Sequence, residues 1–161
     1  MSENILEGQA RLEAYVERTL YENNVRQKDS VNGMMRSQKA GCSYEDRTLT
    51  FAFPIQSWQV NRAGMLHGGI MCTAFDLTIA ALARFCAGEN FAPTISLDVR
   101  YIRPVKVGET LLVTARATSE GRRVTQSTAE AHIRETGKLA ATAASVYLNV
   151  DTSKEMSDGA G

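Results

Sequence analysis

The sequence lacks a net charge, a paired-cysteine motif and an uncharged stretch as long as a membrane span. Its 18 basic and 18 acidic side chains cancel, so no overall field attracts nucleic acid or an anionic membrane. Three cysteines without C-x-x-C spacing predict reduced thiols in a cytoplasmic protein. The amino terminus has no signal-peptide pattern, and the longest uncharged stretch, Ala63 to Phe75, is too short to cross a bilayer.

Common catalytic and cofactor motifs are also missing. The only histidines are His67 and His132, and no serine lies in a G-x-S-x-G turn, which disfavours a nucleophile–histidine triad. H-E-x-x-H and paired-cysteine metal patterns do not occur. The isolated glycines form neither a phosphate-binding loop nor a dinucleotide fingerprint. We therefore expect a protein that needs no metal and no cofactor.

The length of 161 residues predicts one main domain with short flanking segments. Apolar residues at helical spacing between Ile5 and Tyr21 predict a short N-terminal helix, so residues 1–30 are interpreted as a helix and lead-in. Residues 31–150 form the expected domain. The last segment, 151–161, has no periodicity and is predicted to be a mobile tail.

The pattern within the main domain predicts an α+β fold. Ile70 to Ala87 is apolar on all sides, which indicates a helix that is buried all round. Alternating segments before and after it predict a hairpin and then a long antiparallel meander, with turns at Ser119–Arg122 and Glu135–Lys138. A curved sheet of five to six strands wrapped around one long central helix would supply most of the cover that this helix needs.

Asp76 is the only ionisable residue between Gly68 and Leu82, in the middle of the predicted helix. A structural carboxylate paired with an arginine or capping a backbone group is one interpretation. Aspartate is a poor helix former and an uncompensated buried charge is costly, so a carboxylate at such a position is more often kept for chemistry. We therefore interpret Asp76 as a candidate catalytic residue.

His67, Gly68 and Gly69 stand where the same helix is expected to begin. The first backbone N–H groups of a helix have no partner within it and lie at the positive end of its dipole, so they suit an oxyanion. Alternatively, the glycines form a tight turn and His67 packs or caps. The combination with Asp76 favours the functional interpretation.

These residues carry a resemblance to a known family. The stretch from Asn61 to Gly69, with Asp76 nine residues after His67, resembles hotdog-fold acyl-CoA thioesterases of the phenylacetate-degradation (PaaI-like) type. Thr94 to Pro104 and the turn after it resemble that family's central strand. The resemblance covers roughly residues 34–150 and implies a hotdog thioesterase domain over the main domain.

The resemblance also implies roles for individual residues. Asp76 would be the nucleophile or general base, and the amide of Gly68 would donate to the oxyanion. His67 and Asn61 would hold the thioester carbonyl or the attacking water, and Ser96 on the opposite strand would assist; Asn61 as a turn residue and Ser96 as a plain strand residue stay open. Expected substrate contacts are Gly69, Lys106, Arg122 and Arg123, although ordinary solvated charges explain the basic residues equally well.

The implied reaction is hydrolysis of an acyl-CoA thioester to free acid and coenzyme A. One alternative keeps the fold but hydrates or dehydrates an acyl thioester with a histidine and a carboxylate, and another is a non-catalytic module that binds acyl-CoA. A single hotdog sheet leaves edge strands and one side of its helix uncovered, so we expect a homodimer, and by resemblance a dimer-of-dimers tetramer. Neither a nucleic acid nor a membrane is expected as a partner.

Overall fold

The computed structural model describes residues 4–150, and the predicted tail at 151–161 lies outside them. The α+β architecture with one long central helix and six antiparallel strands is confirmed. In chain order the elements are α1 Ile5–Tyr21, α2 Val31–Met34, β1 Gln38–Ser43, β2 Thr48–Pro54, α3 Gly68–Cys86, β3 Thr94–Tyr101, β4 Thr110–Glu120, β5 Val124–Ile133 and β6 Leu139–Leu148. The sequence did not predict α2 or the π-helical turn Glu22–Arg26.

Helix α1 has the predicted bounds and packs across the end of α3. The side chain of Asn4 caps its first turn by accepting a hydrogen bond from the backbone of Leu6 at 3.1 Å. Leu12, Tyr15 and Val16 form its buried stripe. The ring of Tyr15 lies 5.6 Å from that of Phe85, centroid to centroid. Helix α1 therefore covers the C-terminal end of α3.

The six strands are ordered β1-β2-β4-β5-β6-β3, and every neighbouring pair is antiparallel. The predicted continuous meander is correct only for β4, β5 and β6. After α3 the chain crosses to the far side of the sheet, so β3 pairs with β6 and forms an edge. This crossover brings β3 beside the helix that precedes it, which positions the site described below.

Helix α3 packs on the inner face of the sheet, but it is not buried all round. Phe75, Ile79 and Leu82 are fully buried against the sheet. The expectation of burial on every side is wrong for one stripe, which we call the open stripe, whose members follow helical spacing and are exposed or half-buried: Gly69, Thr73, Asp76, Ala80 and Arg84. Residues 4–150 of a single chain therefore leave one face of the central helix uncovered.

The hydropathy of α3 also satisfies the criterion for a membrane-spanning helix. Gly68–Cys86 is long and apolar enough by length and composition alone. Half of it is buried inside the fold, and core helices satisfy the same criterion. This hydropathy is therefore weak evidence for a membrane span.

Candidate active site

The first turn of α3 presents one free backbone donor. His67 is the N-cap, and its Nδ1 accepts a hydrogen bond from the N–H of Gly69 at 3.0 Å. In a neutral imidazole that accepts at Nδ1, the proton lies on Nε2, so His67 offers an Nε2–H donor. Within residues 4–150 the N–H of Gly69 is thus engaged, whereas that of Gly68 has no hydrogen-bond partner.

The segment before α3 is a turn built on Asn61. The side-chain oxygen of Asn61 accepts from the backbone N–H groups of Ala63 at 2.9 Å and Met65 at 3.3 Å. Gly64 has a φ of 73°, which a side chain would strain. The turn interpretation of Asn61 therefore describes its oxygen, and its amide nitrogen is the atom left to donate to a ligand.

A cavity of about 350 Å³ opens at this end of α3. Asn61 and Gly68 both line it, together with largely apolar neighbours: Met65, Leu66, Met71, Tyr101, Ile102, Arg103, Pro104 and Val105. Small-molecule sites are usually concave and apolar with a few convergent polar groups. The cavity at the helix mouth has this character.

Tyr101 ties the mouth of α3 to the edge strand β3. Its hydroxyl donates to the backbone oxygen of Gly68 at 3.0 Å. The same hydroxyl lies 3.0 Å from the Sγ of Cys72. Because the phenol proton is used on Gly68, the thiol of Cys72 is the donor in this second hydrogen bond. The hydrogen bond with Cys72, followed by burial, raises the pKa of Tyr101 to about 12. A Cβ on Gly68 would lie 3.2 Å from this hydroxyl. No pattern in the sequence indicated this contact.

Asp76 lies two turns further along α3 and accepts two hydrogen bonds on one oxygen. The hydroxyl of Tyr147 donates to its Oδ1 at 2.6 Å, and that of Thr94 donates to the same Oδ1 at 2.8 Å. The other oxygen, Oδ2, has no hydrogen bond to any residue between 4 and 150. Asp76 is half-buried on the open stripe, so it is a held carboxylate with one oxygen free.

Ser96 does not reach Asp76, and its predicted role requires correction. It pairs with Val146, and because side chains alternate along a strand while Tyr147 points to the helix, Val146 and Ser96 lie on the outer face. The register shifts between Thr94 and Ser96 through a β-bulge at Ile95. The bulge turns Thr94 toward the helix, as bulges next to active sites do elsewhere. Thr94, which the sequence-based prediction overlooked, therefore takes the place foreseen for Ser96.

Gly68 and Asp76 are too far apart on one helix to act on the same carbonyl. They are eight residues apart, or roughly 12 Å along the axis at ~1.5 Å per residue. An oxyanion donor and an attacking group must both lie within about 3 Å of the reacting carbonyl. Within one copy of α3, the N–H of Gly68 and the carboxylate of Asp76 therefore cannot both reach one carbonyl.

The candidate substrate-binding cations fall at opposite ends of the sheet. Lys106 forms an isolated β-bridge with Met65 beside the cavity. Arg122 and Arg123 instead follow the end of β4. The backbone oxygen of Arg123 accepts a hydrogen bond from the N–H of Asn149, two residues beyond Tyr147. The structure therefore does not bring the three basic residues together at one position.

A larger cavity, about 860 Å³, lies elsewhere, on the outer face of the sheet. Asp98, Arg100, Arg116 and Glu130 line it with small residues. It lies on the side of the sheet away from Asp76, so its size does not make it the reactive site. Among residues 4–150, no group of three or more His, Cys, Asp or Glu side chains could hold a metal ion.

A single long helix lying across a curved six-stranded antiparallel sheet is the hotdog fold, as the sequence predicted. The Escherichia coli PaaI protein from the phenylacetic acid degradation operon superimposes with a TM-score of 0.74 at 16% identity, covering 89% of this chain and 96% of that chain. A Streptococcus mutans protein solved bound to acetyl CoA has a TM-score of 0.60 at 18% identity, covering 71% and 88%. This chain is a hotdog-fold protein.

Sequence comparison narrows the class. Residues 63–140 match the model of the thioesterase superfamily. Mouse acyl-coenzyme A thioesterase 13 is 33% identical over 89 residues, which cover 54% of this chain. The match spans 62% of the mouse protein, less than two thirds of its length. The predicted resemblance to PaaI-like hotdog thioesterases is confirmed as a resemblance, and the part of the chain that matches the thioesterase superfamily is residues 63–140.

Proposed function

We propose that this protein hydrolyses an acyl-coenzyme A thioester to the free acid and coenzyme A, with Asp76 as the reacting carboxylate. The observation that carries the proposal is the state of Asp76, a half-buried carboxylate held through Oδ1 with Oδ2 free. The likeness to acyl-coenzyme A thioesterase 13 supports the reaction class.

The chemistry required is modest, because a thioester carbonyl is already electrophilic. Hydrolysis needs an activated water or a carboxylate nucleophile, and donors for the developing oxyanion. Asp76 supplies the first through Oδ2. The free N–H of Gly68, at the positive end of α3, supplies the second, with the Nε2–H of His67 and the amide of Asn61 as further donors. Lys106, Arg122 and Arg123 are the proposed contacts for the phosphates of coenzyme A.

Each complete site is proposed to form between two copies of the chain. The edge strand β3 and the loop before it expose large apolar side chains, among them Phe91 at 60% and Ile95 at 57%. Pairing of two β3 edges about a two-fold axis would cover these residues and bring the open stripes of two α3 helices together. Asp76 of one copy would then serve Gly68 of the other.

A tetramer built from two such dimers is the proposed larger assembly. The outer face of the sheet carries Asp98 and Glu130 beside Arg100 and Arg116, a mixture of charges that can complement itself across a second two-fold axis.

The cysteines Cys42, Cys72 and Cys86 are all free thiols. This pattern supports the proposal of a reducing, cytoplasmic location.

The domain boundaries are retained as a proposal: residues 1–30 as helix and lead-in, 31–150 as the thioesterase domain.

The hydratase alternative is less favoured, because His67 would have to act as a base. Its Nδ1 already caps Gly69, and the remaining nitrogen carries the proton in that tautomer.

The test is release of free thiol from a panel of short, long and aryl acyl-CoA thioesters by the purified protein. Hydrolysis of at least one class is expected. Addition of water to an enoyl-CoA without thiol release would support the hydratase. Binding without any turnover would support the non-catalytic module.

A further inference from the structure

Tyr147 is a buried tyrosine that the proposed reaction does not by itself require. It lies on β6 with no exposed surface, among the core residues of the inner face. In the sequence it is one apolar residue of an alternating strand, and a phenylalanine would fill the same space. Buried tyrosines usually find a hydrogen-bond partner for the hydroxyl, and here the partner is Asp76.

The hydroxyl of Tyr147 contacts Asp76 at two points. It donates to Oδ1 at 2.6 Å, and it lies 3.3 Å from the backbone oxygen of the same residue. Burial, and then the hydrogen bond to Asp76, raise the pKa of Tyr147 far above its usual value. The phenol therefore stays protonated and remains a donor throughout the working pH range.

Tyr147 and Thr94 converge on the same carboxylate oxygen. They are directly opposed partners in the β3–β6 ladder, and both hydroxyls end on Oδ1. Two donors on one oxygen fix the rotation of the carboxylate about its own axis. Oδ2 is left without a hydrogen bond from residues 4–150 on a half-buried residue of the open stripe, where a water or a thioester carbon can approach.

We propose that Tyr147 is a positioning residue that, with Thr94, locks Asp76 by Oδ1 so that Oδ2 is the reacting oxygen. The inference rests on the proposed thioesterase function for its catalytic meaning. Its structural part, the fixed orientation of the Asp76 carboxylate, is independent of that function.

The test is Tyr147→Phe, which keeps the ring in the core and removes the hydroxyl. We expect kcat to fall about tenfold or more, as for loss of a hydrogen bond to a charged group, with KM within about twofold. Tyr15→Phe is the matched control, because it removes another buried phenol hydroxyl at the far end of α3, away from Asp76. That control is expected to keep wild-type kcat.

A double-mutant cycle separates positioning from packing. If Tyr147 acts through Asp76, then Tyr147→Phe should cause no further loss in an Asp76→Asn background. An equal fold-loss in both backgrounds, or a kcat within about twofold of wild type in the single variant, overturns the proposal.

A crystal structure of Tyr147→Phe gives a readout that needs no activity. We expect the Asp76 carboxylate to rotate or to occupy two conformers, whereas in the wild type and in Tyr15→Phe it should keep one. An unchanged single orientation contradicts the proposal even if the variant is slow. If the wild type releases no thiol at all, the thioesterase function fails, and this structural comparison alone decides the role of Tyr147.

Discussion

At the scale of single residues, the proposed reaction depends on the oxygen of Asp76 that has no hydrogen bond from residues 4–150. Asp76→Asn replaces one carboxylate oxygen with an NH2 group of similar size, so the fold should survive. We expect thiol release to fall at least about a hundredfold, the usual loss when a catalytic base or nucleophile is removed. Size-exclusion elution and circular dichroism should match the wild type. Near-normal turnover would remove Asp76 from the reaction.

Thr94 and Ser96 form a natural pair of test and control. Thr94→Val keeps the shape of the side chain but removes one donor to Oδ1, so we expect kcat to fall about tenfold. Ser96→Ala changes a hydroxyl of the same strand on the outer face and should leave kcat unchanged. The bulge-based assignment is wrong if Ser96→Ala is the more damaging of the two.

The residues of the proposed site differ in how clearly the sequence indicates them. Asp76 could be found because it interrupts an apolar run, and Gly68 because glycines precede that run. Thr94 could not, since strict alternation puts Thr94 and Ser96 on the same face of β3, the family resemblance pointed to Ser96, and a bulge leaves no fixed sequence mark. Tyr147 could not either. In the sequence it is one aromatic residue of an alternating strand, and only the packing of α3 on the sheet shows that its hydroxyl meets Asp76.

At the scale of elements, α1 illustrates what periodicity can predict. Its bounds follow from apolar spacing, but its packing on Phe85 depends on the three-dimensional position of α3. Conversely, the composition of α3 predicted burial on all sides. That prediction is wrong for the open stripe, because composition does not show where the sheet ends. The crossover that places β3 next to β6 was likewise invisible, since alternation gives strands but not their order.

The contribution of α1 can be measured through its buried stripe. Leu12 is 1% exposed, so Leu12→Ala should lower the free energy of unfolding by about 2–5 kcal/mol, the range for truncation of a buried leucine. Leu6 on the same helix is 77% exposed, and Leu6→Ala should change it by less than about 0.5 kcal/mol. Urea unfolding followed by circular dichroism measures both; equal effects would mean that α1 does not pack on α3 in solution.

At the scale of the whole molecule, the β3 edge is the proposed contact between copies. Ile95→Glu places a charge among its exposed apolar residues and should shift the protein toward monomer in sedimentation velocity, with loss of activity. Val25, 55% exposed against 57% for Ile95, lies on the π-helical turn, so Val25→Glu should keep the wild-type assembly. A fully active wild-type monomer at micromolar concentration would refute the interface.

The shared site can be tested by complementation. Asp76→Asn removes the carboxylate, and Gly68→Val crowds Tyr101 and screens the N–H of Gly68. Each parent should be inactive, but a heterodimer formed after dissociation and reassociation should contain one intact site of two. If verified heterodimers stay inactive, Asp76 must act on a substrate held by its own helix.

The open stripe of α3 also ties folding to mass action. In the proposed dimer, a chain whose central helix is covered only at one end and on the sheet side draws part of its folded-state free energy from the copy that closes the remaining face. Because a partner that binds only folded chains stabilises them by an amount that grows with the logarithm of its concentration, the proposed dimer predicts a melting temperature that rises with protein concentration. Dilution then acts as a mild denaturant, and a weakened core far from the interface can be rescued by more protein.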